Sequence, residues 1–562
     1  YGATLNIADV PVFYSPFLAF SFDRSRHSGL LRPTFAYSST EGAMYSQPIY
    51  IVTDPEAPWD MQITPQIRTF RGAGADAAFR FIDSPVSSGS FKLGYFKDKQ
   101  SFQQKYNLKN DSHYGGSMLY NRSRVFTQKE SSFTDGFYAN LNYLNDIDYQ
   151  NLQYNDLLDP IAPSATTQSV MNYFLQDSKN FLGIYNNYAI NTTALNNNST
   201  LQLLPRLQLH RAVDTVGSSN IFYSGDYKAS RYSRPTGLNA TQQQFTIPVG
   251  IYDSFLDDFL QLQVGTNFYS NSANFSNQTG LTQTLPMYKY TTNSYNGQVA
   301  TTLMRPFEDF THTIDLSLTY TKPGFKSQNY VPNPSAWSDV TSQILLNSAV
   351  QTENSYAKLI QFFYDTNNKP IVSHILAMRA YHGGFNTNAY PNLSSNLSAI
   401  ENDITYFHND NIQIENDIFI RPEDSKVLSS TVTARLEMEA WKMSMSQIFN
   451  TTAQIISPNN TQTLNSAANF WEAKLGYKIS RYGTMEGGYA YDVQAKATRG
   501  WYIQYGEKQS CMSYYFGIKS QITPIMTSTS SSSMYNLVAY FYLNLGALGG
   551  FGQQYAVKSY QQ

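Results

Sequence analysis

Hydrophobic and polar residues alternate along much of this chain. In "NLVAYFYLNL" (536–545), Leu537, Ala539, Phe541, Leu543 and Leu545 share one face, and Asn536, Val538, Tyr540, Tyr542 and Asn544 share the other. One apolar face and one polar or amphipathic face, at a period of two, predict a strand lying between two different solvents. "GSFKLGYFK" (89–97) sets Phe91, Leu93 and Tyr95 against Ser90, Lys92 and Gly94, and "DFLQLQVGTNF" (258–268) sets Leu260, Leu262 and Gly265 among polar partners. The phase slips within "RLEMEAWKMSM" (435–445), which predicts a β-bulge. Helical periodicity is rare.

Between the strands lie Asn/Ser/Thr-rich tracts of loop composition, such as "NTTALNNNST" (191–200), "NSANFSNQTG" (271–280) and "SPNNTQTLNS" (457–466). Their Asn-x-Ser/Thr triplets are read as products of an Asn-rich composition. The polar segment 145–180 is predicted to be a long loop, and "RGAGAD" (71–76) a turn, since it lacks the Lys-Ser/Thr ending of a phosphate loop.

"LLRPTFAYSSTEGAMYSQPIYIV" (30–52) reads as two strands around a polar turn, each spoiled by a proline. Proline has no N–H for a ladder. Centring the turn between Thr40 and Glu41 sets Pro33 opposite Pro48 on one rung. On a hydrogen-bonded rung, two bonds between these strands vanish together. On the other kind of rung, the missing donors face the outer neighbours of the pair.

Composition narrows the solvents. Charged residues make up 14% of the 562, against roughly 25% in ordinary soluble domains. Aromatics make up 15%, with 44 Tyr and 35 Phe. A net charge of −2 gives no basic surface for nucleic acid. No run reaches the about 20 apolar residues a spanning helix needs. The start "YGATLNIADV" has neither the basic region nor the apolar core of a signal peptide, so Tyr1 is read as a processed or truncated start. Length alone suggests three or four soluble domains, but no linker for a β-sandwich array and no internal repeat for a solenoid is found. A Tyr-rich, charge-poor, alternating chain fits a transmembrane barrel. At about 20 residues per strand and connection, residues 29–546 hold roughly 26 strands.

Several motifs in order carry a resemblance. "VPVFYSPF" (10–17), "SGLLRPTFAYSS" (28–39), "YSQPIY" (45–50) and "WDMQITPQ" (59–66) with "RTFRG" (68–72) resemble, in sequence order, the LptD family of lipopolysaccharide-assembly outer-membrane proteins. "LLPRLQLHRA" (203–212), "FYSGDYKASRYSRP" (222–235), "YGEKQSCMSYYFGIK" (505–519) and "YLNLGALGGFG" (542–552) are similar to later strands of that family. The resemblance implies an all-β fold: a large antiparallel transmembrane β-barrel of about 26 strands (28–562), preceded by the last strand or strands of a periplasmic β-jellyroll (1–27). It implies an integral outer-membrane protein that inserts lipopolysaccharide into the outer leaflet through a lateral gate between the first and last strands. It implies an LptE-like lipoprotein plug in the lumen, periplasmic lipopolysaccharide-bridge proteins as partners, no cofactor and no catalysis.

On that reading the gate residues are Pro33, Thr34 and Pro48, facing Tyr540 and Tyr542 of the strand 536–545. Tyr14, Phe17, Phe20, Arg24, Arg26 and Arg32 are candidates for the lipopolysaccharide path. Arginine pairs well with phosphate, and basic residues at a membrane edge also serve as plain anchors. The single cysteine, Cys511, falls where the family has cysteines joined to its N-terminal domain, so the resemblance implies a disulfide to that domain. His27, His113, His210, His312, His374, His382 and His408 form no metal-ligand spacing, and no nucleophile elbow is present. The alternative is a passive porin or other solute channel, which needs neither a weakened seam nor a lipoprotein partner.

Overall fold

The computed structural model describes residues 3–7, 10–15, 26–31, 34–38, 40–153, 166–277, 287–329, 352–382, 396–408, 411–451, 454–456, 462–464, 468–508, 513–544 and 550–561. The fold is all-β. A run of 26 antiparallel strands begins at Gly29 and ends at Asn544, each paired with its neighbours in the chain. A further strand, Gly550–Gln561, pairs with Ser531–Asn544 on one side and with Thr34–Ser38 on the other, so the order returns on itself as a closed barrel. Ala3–Ile7 and Val10–Ser15 pair with each other in a separate two-stranded sheet. No helix among the described residues is long and apolar enough to cross a membrane.

The alternation is turned inside out relative to a soluble sheet. In Ser87–Asp98 the outward residues Phe91, Leu93 and Tyr95 are 42%, 59% and 52% exposed. Phe96 and Asp98, on the other face, are buried inside the barrel. Leu316, Leu318 and Tyr320 repeat the pattern on Phe310–Gln328, and Val264 stands 66% exposed on Leu260–Ser276. An apolar exterior around a polar interior suits a wall whose outer solvent is hydrocarbon. Short turns such as 256–259, 307–309 and 366–369 close one end, and longer connections, 99–111, 192–201 and the one that holds 145–153, start from the other.

Three local expectations change. The phase slip at 435–445 is a hairpin turn and not a bulge: Val427–Glu437 and Trp441–Asn450 are separate strands, and the Met438 N–H bonds the Trp441 carbonyl at 2.7 Å. The glycines of "RGAGAD" lie in the strand Gly72–Ser84, with the turn just before them. A Cβ on Gly72 would sit 1.9 Å from the Lys97 carbonyl oxygen, so the neighbouring backbone excludes any side chain there. Segment 145–180 is not one loop: it holds helix α2 (Ile147–Gln153), the strand Thr166–Gln176 and the start of the next strand, Asn180–Asn191.

The first hairpin is also out of the expected register. Thr34 faces Ser46 and Ser38 faces Gly42, whereas the centred turn would set Thr34 against Gln47. Three positions, 39–41, separate the paired ends, and Gly42 follows with φ +79°. A three-residue loop followed by glycine in a left-handed conformation is a standard hairpin closure. An odd loop moves every pair by one.

Candidate functional site: the seam at the first strand

The first two strands are each broken. The first runs as Gly29–Leu30 and Thr34–Ser38, the second as Gly42–Ser46 and Ile49–Ile51. Leu30 faces Ile49, while Thr34 faces Ser46. Three positions on one strand are therefore matched by two on the other, and the register slips by one. Pro48 lies in the break of the second strand, its carbonyl facing Leu31, and Pro33, the partner expected for it, lies outside the described residues.

Pro48 decides which bond is lost. The Leu31 N–H donates to the Pro48 carbonyl at 2.9 Å. The return bond would come from an N–H at position 48, which proline lacks. The Gln47 side chain fills the vacancy: its Nε2 donates to the Leu31 carbonyl at 2.6 Å and to the Pro48 carbonyl at 3.1 Å. The Tyr45 hydroxyl donates to Gln47 Oε1 at 3.0 Å and orients the amide. On the other side the second strand keeps one register with the third, Trp59–Arg68. There the Gln47 N–H donates to the Pro65 carbonyl at 3.1 Å, and Pro65 cannot return it. The sequence reading missed Gln47 and Pro65. The proline at 65 was visible, but its alignment with Gln47 is a matter of register.

The far side of the first strand holds a correction. Strand 536–545 was expected beside it, yet Gly550–Gln561 lies between. Thr34 faces Gly552, and Tyr37 faces Tyr555, in a parallel ladder of four residue pairs. Tyr540 and Tyr542 sit one strand further away, opposite Gln554 and Gly552. Closure by a strand of the same direction forces parallel pairing, which is less stable per residue. The first strand is thus held by four pairs on one side and five on the other between Thr34 and Ser38. Mid-barrel strands such as Asn239–Phe255 and Leu260–Ser276 pair along 17 residues. At about 1 kcal/mol net per hydrogen bond, the first strand is far the cheaper one to displace.

Where the chain enters the barrel, Arg26 is fully engaged. Its guanidinium donates to the Tyr50 hydroxyl at 3.0 Å, the Ala57 carbonyl at 2.8 Å and Asp60 at 2.8 Å. Asp60 also accepts from Arg80 at 2.6 Å. This arrangement fixes the start of the first strand to the connection 52–58. Tyr14 lies in the strand Val10–Ser15, opposite Thr4. Phe17, Phe20, Arg24, Arg32 and Cys511 lie outside the described residues.

At the long-loop end the interior carries a buried charge network that sequence reading did not find. Glu41, in the first hairpin turn, accepts from Arg68 and from Arg71, each at 2.6 Å. Arg71 continues to Asp98 at 2.9 Å and to Asp148 of α2 at 3.4 Å. His113 lies between Asp98 at 2.9 Å and Asp146 at 3.0 Å. Burial pushes the Glu41 carboxyl up, but Arg68 and Arg71 outweigh it and hold it down at about 2. Burial likewise raises Asp146, and hydrogen bonding and charge from His113 bring it below the ordinary range. For Asp148 burial wins, and the carboxyl is raised despite Arg71. His113, Asp146 and Asp148 stand close enough to share a cation. Their polar atoms are instead committed to Arg71, Asn110 and the backbone N–H groups of Tyr149 and Met526. The members come from six connections and strands, so no sequence spacing marks them.

No family model matches the chain. The LPS-assembly protein LptD of Burkholderia lata is 32% identical over 150 residues, covering 26% of this chain and 17% of that one. The LptD proteins of Coxiella burnetii and of Shewanella sp. strain MR-4 are 36% identical over 104 residues and 35% over 100, each covering 18% of this chain and 12% and 13% of theirs. The matched segment therefore spans less than a fifth of these curated relatives. Among solved structures, the siderophore receptor PirA of Acinetobacter baumannii aligns over 90% of this chain and 86% of its own, at 8% identity and a TM-score of 0.28. Over about a quarter of its length or less, the chain is similar to curated proteins named LPS-assembly protein LptD.

Proposed function

We propose that this barrel is the outer-membrane translocon component that inserts lipopolysaccharide into the outer leaflet, through a lateral gate at the first strand. The observation that carries the reading is the holding of that strand. A closed barrel has no unpaired edge, and an unpaired polar group in hydrocarbon costs several kcal/mol. Sideways opening is feasible only where few bonds must part. Thr34–Ser38 is held by a parallel ladder of four pairs and an antiparallel one of five, beside a break where Pro48 removes a donor. The gate reading places its moving pair at Thr34 and Gly552, with Tyr540 and Tyr542 behind.

The homologues' name supplies the cargo. The polar interior gives sugars and phosphates a path, and the apolar exterior receives acyl chains. No bond is made or broken. An LptE-like lipoprotein in the lumen, periplasmic bridge proteins and a jellyroll ahead of residue 28 belong to the same proposal. So does the disulfide from Cys511 to an N-terminal domain.

The test is to tie the seam with Ala36→Cys and Gln554→Cys, which face each other across it. Oxidised protein should stop delivering lipopolysaccharide to the cell surface, and reduction should restore delivery. Delivery that continues through a fully tied seam would sink the gate. A passive porin would keep surface lipopolysaccharide unchanged when the protein is depleted.

A further inference from the structure

The seam separates two flanks of the wall. On one side lie the strands from Gly42 onward, and on the other Ser513–Met526 and Ser531–Asn544. At the long-loop end these flanks are joined directly. Helix α1 (Gln100–Tyr106) and the residues after it connect Ser87–Asp98 to Ser112–Ser123 on the first flank. Asn107 ends α1 in a left-handed conformation with φ 50°. The chain then runs against the turn between the last two antiparallel strands.

The join has a backbone part and an apolar part. The Lys109 N–H donates to the Met526 carbonyl at 3.1 Å, and the Ser528 N–H to the Asn107 carbonyl at 2.9 Å. Leu108 and Thr527 face each other between these two bonds as an isolated antiparallel bridge. The Ser528 hydroxyl adds a bond to Asn107 Oδ1 at 2.9 Å. Phe102, Tyr106 and Leu108 pack with Ile525 in one buried cluster. From α2, Asp148 accepts the Met526 N–H at 3.4 Å while Arg71 holds the same carboxylate on the first flank. α2 is itself anchored there by Arg68 to the Leu152 carbonyl and by the Tyr149 hydroxyl to the Gly115 carbonyl.

We infer that residues 99–111, backed by α2, form a latch across the seam, which must release before the wall can open at this end. The inference rests on the proposed lateral gate. The seam itself is a parallel ladder of four pairs. The latch opposes its opening with two backbone bonds, a side-chain bond and a dry apolar cluster, all made between the two flanks. Spreading the seam at the long-loop end moves 525–528 away from 102–109 and strips all of these contacts together. Leu108 and Ile525 then meet water, and the Met526 N–H loses its acceptor. Cargo arriving at the seam therefore meets two barriers in series: a weak ladder along its length and a stronger clasp at its outer end.

The test uses the full-length protein in cells carrying Leu108→Cys with Thr527→Cys, and each single variant to detect pairing with Cys511. Directly opposed residues of an antiparallel bridge lie within the Cα separation a disulfide needs. The cross-link should form, leave heat-modifiable gel migration unchanged, and cut surface lipopolysaccharide at least tenfold until a reductant is added. The loosening variant Ile525→Ala should raise the frequency of large conductance events in planar bilayers several-fold. Failure of the cross-link to form overturns the contact. A fully formed latch cross-link with normal delivery overturns the latch, and if the Ala36→Cys/Gln554→Cys tie still blocks delivery, the gate itself survives. If neither tie affects delivery, the gate falls and the latch falls with it. Unchanged conductance in Ile525→Ala also counts against the latch.

Discussion

The side-chain amide of Gln47 donates to the Leu31 carbonyl at 2.6 Å, the acceptor that a backbone N–H at position 48 would serve. Because residue 48 is proline, a side chain stands in for a rung. A side-chain bond costs rotamer entropy and breaks more readily than a ladder bond. The break is thus satisfied at rest and weak under load, as the proposed gate requires.

Gln47→Ala should lower stability by about 1 kcal/mol and speed deuterium uptake at 29–31 and 49–51, with 260–276 unchanged. Adding Pro48→Ala should restore protection, since the backbone regains its donor. Hydrogen-exchange mass spectrometry of the refolded barrel reads both. Equal uptake in wild type and Gln47→Ala would show that the amide carries nothing.

Glu41 gives a pH signature. Its folded carboxyl is held at about 2, below the roughly 4.3 of an unfolded glutamate. The lowered value means that its stabilisation is fully present above the unfolded pKa and is lost as pH falls toward the folded one. Glu41→Gln removes the negative charge that Arg68 and Arg71 share and should cost about 3 kcal/mol near neutrality. The gap between wild type and variant should stay constant from about pH 7 to pH 5 and shrink between about pH 4 and pH 2. Urea titrations across that range check it, and a gap that does not narrow in acid would rule out the pairing.

Val264 points outward from Leu260–Ser276 and is highly exposed. Val264→Arg should cost about 2–4 kcal/mol in a bilayer. Gln298, on the opposite face from the outward Val299, should tolerate arginine. Folded fractions in lipid vesicles under urea measure both. Equal tolerance at the two positions would argue against a lipid-facing exterior.

Gly72→Ala places a methyl group against the Lys97 carbonyl, in the backbone that supports Asp98 and Arg71. The variant should lose the heat-modifiable shift of a folded barrel on gels. Gly297→Ala, where a Cβ meets nothing within 4 Å, should keep it.

The strands were legible because their cause is local. Alternation over six to ten residues reports two solvents wherever the strand ends up: "GSFKLGYFK" lies on a strand, and so does "DFLQLQVGTNF" from Leu260 onward. Boundaries were less legible where a turn uses ordinary residues. Met438–Ala440 has no glycine or proline, so its change of phase imitated a bulge. Gly72 and Gly74 imitated a turn because their small size answers to a neighbouring strand.

Local pattern was enough for a charge-poor barrel of many strands with prolines beside its first hairpin, since composition and a two-residue period act through nearest neighbours. The rest follows from long-range pairing. An odd loop and Gly42 set the hairpin register, and that register made Gln47 the substitute donor. Closure of the ring chose Gly550–Gln561, and not the strand of Tyr540, as the partner of Thr34. The 525–528 contact joins residues hundreds of positions apart, and the charge network ties Arg71 to Asp148, 77 positions on. Such contacts follow from where the wall closes, which no local pattern encodes.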